Sequence, residues 1–254
     1  MALVESELVG GVLTVTLADE ERRNALSSEL TRELVAVLDE ADSDDTVRVV
    51  VLTNRGSTFC AGANLAERSE ASGRTPATSI NPTTLFGRFA RSPKPYVGRI
   101  AGHCVAGGMG LAAGLDITVA KSSAKFGFTE VRIGVAPAMI SVVCLPKMRR
   151  ADAQAAFLRG NRFSADEAMR MGLITYVAAD DVLDDLVGEI VADLLKGGPE
   201  AIAACKELLE QVPTMSREDA FAWTAGVSSR LFSSDEAREG MTAFLEKRQP
   251  PWVC

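Results

Sequence analysis

Residues 94–120 read KPYVGRIAGHCVAGGMGLAAGLDITVA, and this stretch decides the predicted fold. Its first part, residues 95–100, is an apolar run that predicts a β-strand, and residues 115–120 predict another. Between them, the small residues 107–113 predict the start of a helix. Strands that alternate with helices in this way are typical of the α/β class.

A second stretch of small residues, FCAGANL at residues 59–65, also follows a predicted strand. That strand, VRVVVLT at residues 47–53, is a continuous apolar run, which is typical of a strand buried on both faces. Small side chains at a strand-to-helix turn leave backbone N–H groups accessible to a ligand, and a helix N-terminus adds the positive end of its dipole. If the two turns meet, they can hold one oxygen between two donors, as an oxyanion hole requires. The alternative is that the glycines serve only tight turns and close helix packing, and the spacing fits both.

The rest of the chain supplies further strands and helices. Residues 3–9 and 12–17 flank a Gly-Gly pair and predict a β-hairpin, and Ser27 or Ser28 is a suitable N-cap for a helix. The order strand, strand, helix then recurs along the chain. Residues 66–84 are polar, so we expect a mobile loop there, either a lid or a loop without a role. Four amphipathic helices are expected after residue 181, at residues 181–196, 199–210, 216–232 and 234–247.

Composition argues against several classes of function. Hydrophobic residues make up 47% of the chain and charged residues 24%, as in soluble globular proteins. The net charge of −7 argues against nucleic acid as a partner, because a phosphate-binding surface carries an excess of Lys and Arg. His103 is the single histidine, so we expect neither a bound metal nor a Ser-His-Asp triad. The five cysteines form no CxxC pair and are expected to be reduced and mostly buried.

The sequence also bears on localisation. Its N-terminal segment has no basic region followed by an apolar run, so no signal peptide is predicted. No apolar stretch reaches the ~18 to 20 residues that a membrane span needs. We therefore expect a cytoplasmic protein with no membrane partner.

The glycine-rich segment permits one competing interpretation. GMGLAA at residues 108–113 fits the relaxed dinucleotide-binding pattern G-x-G-x-x-A, and Glu130 follows ~20 residues later, where that pattern places an acidic residue. A nicotinamide-dependent dehydrogenase would have these features. However, the pattern usually opens the first βαβ unit of its domain, whereas residues 1–107 precede it here. Glu130 also does not end an apolar strand.

Four segments together resemble the crotonase family, also called the enoyl-CoA hydratase/isomerase family. FCAGANL is similar to that family's FxAGADL, and residues 94–120 are similar to its KPxIAAVxGxAxGGGxxLxxxCDxxxA segment. AKFGFTEVRIGVAP, at residues 124–137, resembles AxFGxPExxxGxxP, and FLEKRQPPW, at residues 244–252, resembles FxEKRxPxW. The correspondence runs in order from the first hairpin to the C-terminus and covers nearly the whole chain.

The resemblance implies a fold, an assembly and a substrate. The fold would be α/β, with a crotonase-type spiral of ββα turns that binds acyl-CoA in residues 1–197. A C-terminal α-helical trimerisation region would follow in residues 198–254, and the assembly would be a homotrimer or a dimer of trimers. The substrate would be an acyl-CoA thioester, with coenzyme A entering as part of that substrate and no separate cofactor.

The resemblance further implies a set of site residues. Matched to the family's motifs, the oxyanion donors are the backbone N–H groups of Ala63 and Gly108, and Glu130 is the catalytic acid/base. Neighbouring residues of the two turns are expected to contact the substrate: Ala61, Gly62, Asn64, Leu65, Gly107 and Leu111. Three further residues are expected to be structural, namely Cys60, His103 and Asp116.

One departure from the family bears on the reaction. Two-glutamate hydratases hold a water molecule between two carboxylates, and the first lies three residues after the glycine donor, which is Leu111 here. Glu130 alone suits a proton shuttle between α and γ carbons, which is isomerase chemistry. It also suits a hydratase with one carboxylate, and EVRIGVAPAMIS at residues 130–141 resembles the bacterial methylglutaconyl-CoA hydratases. We predict an enoyl-CoA hydratase-type lyase first, an enoyl-CoA isomerase second, and a non-catalytic acyl-CoA binder as the remaining alternative.

Overall fold

The computed structural model describes residues 2–70 and 81–253 of the chain. Its strands are β1 (Val4–Val9), β2 (Val12–Leu17), β3 (Val49–Asn54), β4 (Thr58–Cys60), β5 (Tyr96–Ile100), β6 (His103–Val105), β7 (Ile117–Lys121), β8 (Lys125–Gly127), β9 (Phe163–Ser164) and β10 (Tyr176–Ala178). Its helices are α1 (Ser28–Ser43), α2 (Leu65–Glu70), α3 (Pro82–Phe86), α4 (Arg88–Arg91), α5 (Gly107–Gly114), α6 (Ala138–Cys144), α7 (Arg150–Arg159), α8 (Ala165–Met171), α9 (Leu183–Lys196), α10 (Pro199–Gln211), α11 (Arg217–Phe232) and α12 (Asp235–Glu246). Short 3-10 helices cover Glu130–Ile133, Leu145–Lys147 and Val212–Thr214.

The strands form two sheets that the chain visits in turn. The larger sheet has the order β1-β2-β3-β5-β7-β10, and the smaller has the order β4-β6-β8-β9. Strands β2, β3, β5 and β7 are mutually parallel, and so are β4, β6 and β8. From β3 to β8, each successive pair of strands places one strand in each sheet, so the recurring strand-strand order winds into a spiral, whereas β1 and β2 both lie in the larger sheet. The predicted α/β class with ββα turns is confirmed.

The first hairpin and helix follow the predicted local chemistry. Strands β1 and β2 pair antiparallel up to Val9 and Val12, and the two intervening glycines, Gly10 and Gly11, both have positive φ. Ser27 is the N-cap of α1, and its hydroxyl accepts the backbone N–H of Leu30 at 3.1 Å. An N-cap of this kind satisfies an N–H that would otherwise have no partner at the start of a helix.

Strand β3 separates two layers of the core. All six of its residues are buried, as the continuous apolar run predicts. Val50 and Leu52 face the main core, which also contains three leucines of α1, while Val49 and Val51 face a second cluster. Helix α9 covers that second cluster with Leu183, Val187 and Val191. Successive side chains of a strand point to opposite faces of the sheet, so a continuous apolar run supplies both clusters.

Two further regions differ in how well the sequence patterns describe them. The four predicted C-terminal helices are confirmed as α9 to α12. The predicted loop at residues 66–84 is instead helical at both ends, in α2 and α3, and its centre at residues 71–80 lies outside the described residues. Among the described helices, none combines the length and apolar character that would let it cross a membrane.

Candidate active site

Three chain segments leave the same edge of the smaller sheet. Strands β4, β6 and β8 are parallel, so their C-terminal ends at Cys60, Val105 and Gly127 lie side by side. A backbone hydrogen bond of 2.9 Å from the Ala106 N–H to the Gly127 carbonyl ties two of these segments together. The two predicted small-residue turns and the segment that carries Glu130 therefore converge at one place.

The two turns are in direct contact. A Cβ atom built on Gly62, whose φ is +88°, would lie 2.6 Å from Ala106 Cβ and 2.8 Å from Gly107 N. A Cβ built on Gly107 would lie 3.5 Å from Ala63 N. Glycine at these two positions allows this close approach, so the two turns meet, which is the condition that an oxyanion hole between them requires.

The Ala63 N–H is oriented by its own peptide group. The carbonyl of that group belongs to Gly62, and it accepts the Leu26 N–H at 2.7 Å. A trans peptide is planar, with the carbonyl and the N–H on opposite sides, so the Ala63 N–H points away from Leu26. Asn64 also donates to the Leu26 carbonyl, at 3.4 Å, which completes a bridge between Leu26 and Ala63. Within the described ranges, the Ala63 N–H has no acceptor.

Gly107, and not the predicted Gly108, lies beside Ala63. Gly107 is the first residue of α5 and is partly exposed, and its N–H finds no acceptor in the described part of the chain. A Cβ on Gly108 would instead lie 2.5 Å from the carbonyl oxygen of Cys60 and 2.9 Å from its Cβ. Gly108, the second residue of the helix, is thus buried against Cys60 at the end of β4.

Ala106 brings the chain into α5 with a strained backbone. Its φ of +50° and ψ of −125° fall in a region that favours glycine. Its N–H and its carbonyl are both used, the carbonyl accepting the Met109 N–H at 2.8 Å. Such conformations cost roughly 1 to 3 kcal/mol and are common at functional sites, where the surroundings hold them in place.

Glu130 provides a carboxylate at the same edge. It is the first residue of a 3-10 helix, and its Oε2 atom is buried without a hydrogen-bond partner among the described residues. Burial raises the pKa of the Glu130 carboxyl above its ordinary value, and its own backbone N–H partly offsets this. Burial raises the pKa of the Cys144 thiol in α6, and Cys144 lies close enough to Glu130 for the carboxylate charge to raise that pKa further.

Helix α5 presents different faces to the core and to α6. Leu111 has no exposed surface and belongs to the main core. Gly110 faces α6, because a Cβ built there would overlap Ile140, and it would also lie 2.9 Å from Phe86 Cε1. The position that faces the helix following Glu130 is therefore Gly110. The assignment of Leu111 to substrate contact remains a prediction, with a core location against it.

The other predicted residues occupy varied places. Ala61 donates its N–H to the Arg23 carbonyl at 3.1 Å, and the Asn64 side chain accepts the Ala66 N–H at 3.1 Å, while Leu65 is exposed. His103 Nδ1 accepts the Lys125 N–H at 3.1 Å, which confirms a satisfied structural histidine. The described side chains contain no group of three or more potential metal ligands.

The cysteines largely follow the prediction. Cys60, Cys104 and Cys144 are buried free thiols, whereas Cys205 is an exposed one, and Cys254 lies outside the described residues.

No sequence pattern indicated that Arg23 and Leu26 hold the first turn. The adjacent basic pair at residues 22–23 was the nearest signal.

Comparison with known proteins identifies the family of this chain. The sequence model described as enoyl-CoA hydratase/isomerase matches residues 7–253. The chain belongs to the enoyl-CoA hydratase/isomerase family. A protein of Thermus thermophilus, provisionally named an enoyl-CoA hydratase, is 37% identical over 95% of this chain and 97% of its own length. The 1,2-epoxyphenylacetyl-CoA isomerase of Escherichia coli is 30% identical over 100% of this chain and 99% of its own length.

The fold agrees as well. The crystal structure of an enoyl-CoA hydratase from Shewanella pealeana superposes with a TM-score of 0.91 at 27% identity, covering 98% of this chain and 96% of that one. The protein is therefore an enzyme of the enoyl-CoA hydratase/isomerase family and not a nicotinamide-dependent dehydrogenase. The dinucleotide-binding interpretation of residues 108–113 is wrong. Glu130 begins a 3-10 helix and does not end a strand, which removes the acidic residue that the dinucleotide pattern needs.

Proposed function

We propose that this enzyme is an enoyl-CoA hydratase-type lyase whose oxyanion hole is formed by the N–H groups of Ala63 and Gly107. The observation that carries the proposal is the contact between two turns whose adjacent N–H groups have no acceptor in the described residues. Gly107 replaces Gly108 as the second donor, because Gly108 packs against Cys60. An oxyanion hole needs two donors that converge on one oxygen, and the contact between the two turns supports Ala63 and Gly107 as those donors.

The two donors act on the thioester carbonyl. When water adds to the β-carbon of an enoyl thioester, negative charge moves through the α-carbon to the thioester oxygen and forms an enolate. Donors that are already oriented stabilise that charge more than they stabilise the neutral substrate, so they lower the barrier. Removing one such donor typically costs ~3 to 4 kcal/mol of transition-state stabilisation.

Glu130 is the proposed acid/base. As the carboxylate it takes a proton from water while the water oxygen bonds to the β-carbon. Protonated Glu130 then gives that proton to the α-carbon of the enolate and becomes the carboxylate again. The buried, unpaired Oε2 is available for that water, since no group of the described residues hydrogen bonds to it. The raised pKa of Glu130 brings its proton affinity nearer to neutral pH, which suits general acid–base catalysis.

A second carboxylate is absent from the matching helix position. If Gly107 is the donor, the position three residues later is Gly110, and not Leu111. Ile140 and Phe86 occupy the space where a side chain at Gly110 would lie. Glu130 therefore acts without a partner from α5, which favours either a one-carboxylate hydratase or a proton shuttle.

The second candidate is enoyl-CoA isomerisation. Glu130 would remove a proton from the α-carbon of a 3-enoyl thioester and return it to the γ-carbon, through a dienolate whose charge rests on the same thioester oxygen. The single carboxylate and the apolar contact of Ile140 with Gly110 favour this reaction, because a shuttle needs no bound water. A non-catalytic acyl-CoA binder remains the third alternative, and Glu130 argues against it.

The coenzyme A portion has a matching basic pair. Arg22 and Arg23 are exposed, and the Arg23 carbonyl accepts the Ala61 N–H, so the pair lies next to the first turn. Arg22 already pairs with Asp19 at 3.7 Å, whereas Arg23 has no ion-pair partner in the described part of the chain, so the Arg23 charge is the one left for a phosphate of the substrate.

The test is a substrate panel read by absorbance and mass spectrometry. A hydratase would add the mass of one water to crotonyl-CoA or to 3-methylglutaconyl-CoA. An isomerase would instead convert a 3-enoyl-CoA to a product of the same mass with conjugated absorbance. Hydration without isomerisation supports the lyase, and isomerisation without hydration supports the second candidate. Thioester binding without turnover of any substrate would leave only the non-catalytic binder.

A further inference from the structure

Cys60 lies where the two turns meet. It is the last residue of β4 and has no exposed surface. Its Sγ accepts the Gly62 N–H at 3.4 Å, and its backbone lies directly against Gly108. A single buried residue therefore contacts both turns.

The hydrogen bond to sulfur bears on the orientation of Ala63. Two planar peptide groups meet at the Cα of Gly62. The first carries the Gly62 N–H, which Cys60 Sγ accepts, and the second carries the Gly62 carbonyl, which Leu26 holds at 2.7 Å. Glycine rotates freely about its backbone bonds, so its φ of +88° needs restraint from both sides. Without the sulfur, the first peptide group would lose its buried partner and could rotate.

We infer that Cys60 is a positioning residue, whose thiol holds the first turn in the conformation that brings the Ala63 N–H beside the Gly107 N–H. This inference rests on the proposed oxyanion hole. Burial raises the pKa of the Cys60 thiol to about 12, so the sulfur remains a neutral thiol at physiological pH. A neutral buried thiol is a poor nucleophile and can still accept a hydrogen bond, which fits a positioning role.

Cys104 provides a matched control. It lies in β6, opposite Cys60 in the pairing of the two strands, and it is also fully buried. Its thiol makes no hydrogen bond to any of the described residues. Replacing either cysteine by alanine removes one buried sulfur from neighbouring strands, but only Cys60→Ala removes the acceptor of the Gly62 N–H.

The test uses the absorption of a bound 2,4-dienoyl-CoA thioester. Its conjugated chromophore shifts to the red when donors polarise the thioester carbonyl. Spectra are recorded in the Glu130→Gln background so that the probe is not turned over, and kcat and KM are measured with Glu130 intact. Cys60→Ala should lose most of the red shift, and its kcat should fall about tenfold while KM changes by less than about twofold. The effect falls on kcat because a misplaced donor stabilises the transition state less and changes substrate binding little. Cys104→Ala should keep the red shift and kcat despite a comparable loss of thermal stability.

The outcomes separate this role from simple packing. Equal red shifts and equal kcat in the two alanine variants would overturn the inference. If Cys60→Ala does not fold, Cys60→Ser serves instead, because its hydroxyl keeps an acceptor near the Gly62 N–H. A folded Cys60→Ser that retains the red shift supports the positioning role, and one that loses it at wild-type stability overturns it. A wild-type site that binds the probe without any red shift would reject the oxyanion hole itself, and the role of Cys60 with it.

Discussion

Lys206 Nζ lies 2.5 Å from Asp116 Oδ2, and this ion pair joins the C-terminal helices to the turn after α5. The ammonium also donates to the carbonyls of Phe89 and Lys94, at 2.7 and 2.9 Å, so all three of its N–H groups have acceptors. Asp116 Oδ2 accepts the Tyr96 N–H at 2.7 Å as well. The predicted structural role of Asp116 is confirmed, and helix α10 contacts the core through a buried charge.

Removing that charge should destabilise the fold. Lys206→Met leaves Asp116 without its cation, and breaking a buried pair typically costs about 3 to 5 kcal/mol. Asp116 is 26% exposed, so we expect a value near the lower end. Urea denaturation measures the change. Lys196→Met, which removes an exposed ion pair with Asp193, is the control and should cost less than about 1 kcal/mol. Equal stability of the two variants would contradict the importance of the Lys206 pair.

Glu130→Gln should abolish turnover without abolishing binding. The amide cannot accept or deliver the proton, so kcat should fall by about 10²- to 10⁴-fold, while the affinity for a thioester changes little. Stopped assays give kcat, and calorimetry with a non-reactive thioester gives the affinity. Glu7→Gln changes an exposed strand glutamate and should leave both unchanged. Retention of more than about a tenth of the activity would remove Glu130 from the acid–base role.

The same substitution should change how stability depends on pH. Burial raises the pKa of Glu130 in the folded state above its value in the unfolded chain. The contribution of Glu130 to stability is therefore fully present below the unfolded pKa of about 4.3, and it is lost as the pH rises through the folded pKa. Glu130→Gln should gain stability relative to wild type at about pH 8 and show no such gain at about pH 4. Denaturation curves at both values test this, and a gain confined to the acidic side would have the wrong sign.

A second carboxylate should raise crotonyl-CoA hydration only at the helix position that faces α6. Gly110→Glu combined with Ile140→Gly places a carboxylate there and removes Ile140, the nearer of the two side chains that would overlap it, while the ring of Phe86 has to shift. We expect a modest gain in hydration that increases toward alkaline pH, because burial and the nearby Glu130 both raise the pKa of the new carboxyl. Gly110→Gln with Ile140→Gly is the control of equal size without charge.

Leu111→Glu completes that comparison. The Leu111 side chain lies in the core, so the variant buries a charge and should lose several kcal/mol of stability instead of gaining activity. A folded Leu111→Glu with increased hydration would show that the core placement of this residue does not describe the substrate complex.

The C-terminal helices should mediate self-association. Phe221, Phe232, Phe244 and Leu245 are 72, 71, 82 and 79% exposed, which is unusual for large apolar side chains on one region. We expect a trimer or a dimer of trimers by light scattering. Phe244→Asp should weaken it, whereas Asp235→Ala, an exposed change on the same helix, should not. A stable monomer at micromolar concentration would contradict the expected self-association. A chain that ends near residue 198 should aggregate, because it loses Lys206 and α10, which cover apolar surface of the core.

Local sequence determined many of the longer strands and helices. The hairpin at β1 and β2, the Ser27 cap of α1, the buried strand β3 and the four C-terminal helices all follow from periodicity, caps and glycine pairs, because these signals act over a few residues. The family motifs likewise pointed to the two small-residue turns and to the segment that carries Glu130, which the fold brings to the same edge of the smaller sheet.

Tertiary structure alone decided which backbone groups meet. The choice between Gly107 and Gly108 depends on how α5 docks against Cys60, because a rotation of one residue along the helix moves the backbone from a place beside Ala63 to one against the Cys60 carbonyl. The same rotation sends Leu111 into the core and Gly110 toward Ile140. The Ala63 N–H is aimed by Leu26, a residue distant in sequence. Local patterns specify which residues are small or apolar, but the direction of an N–H follows from contacts between segments that are adjacent only after folding.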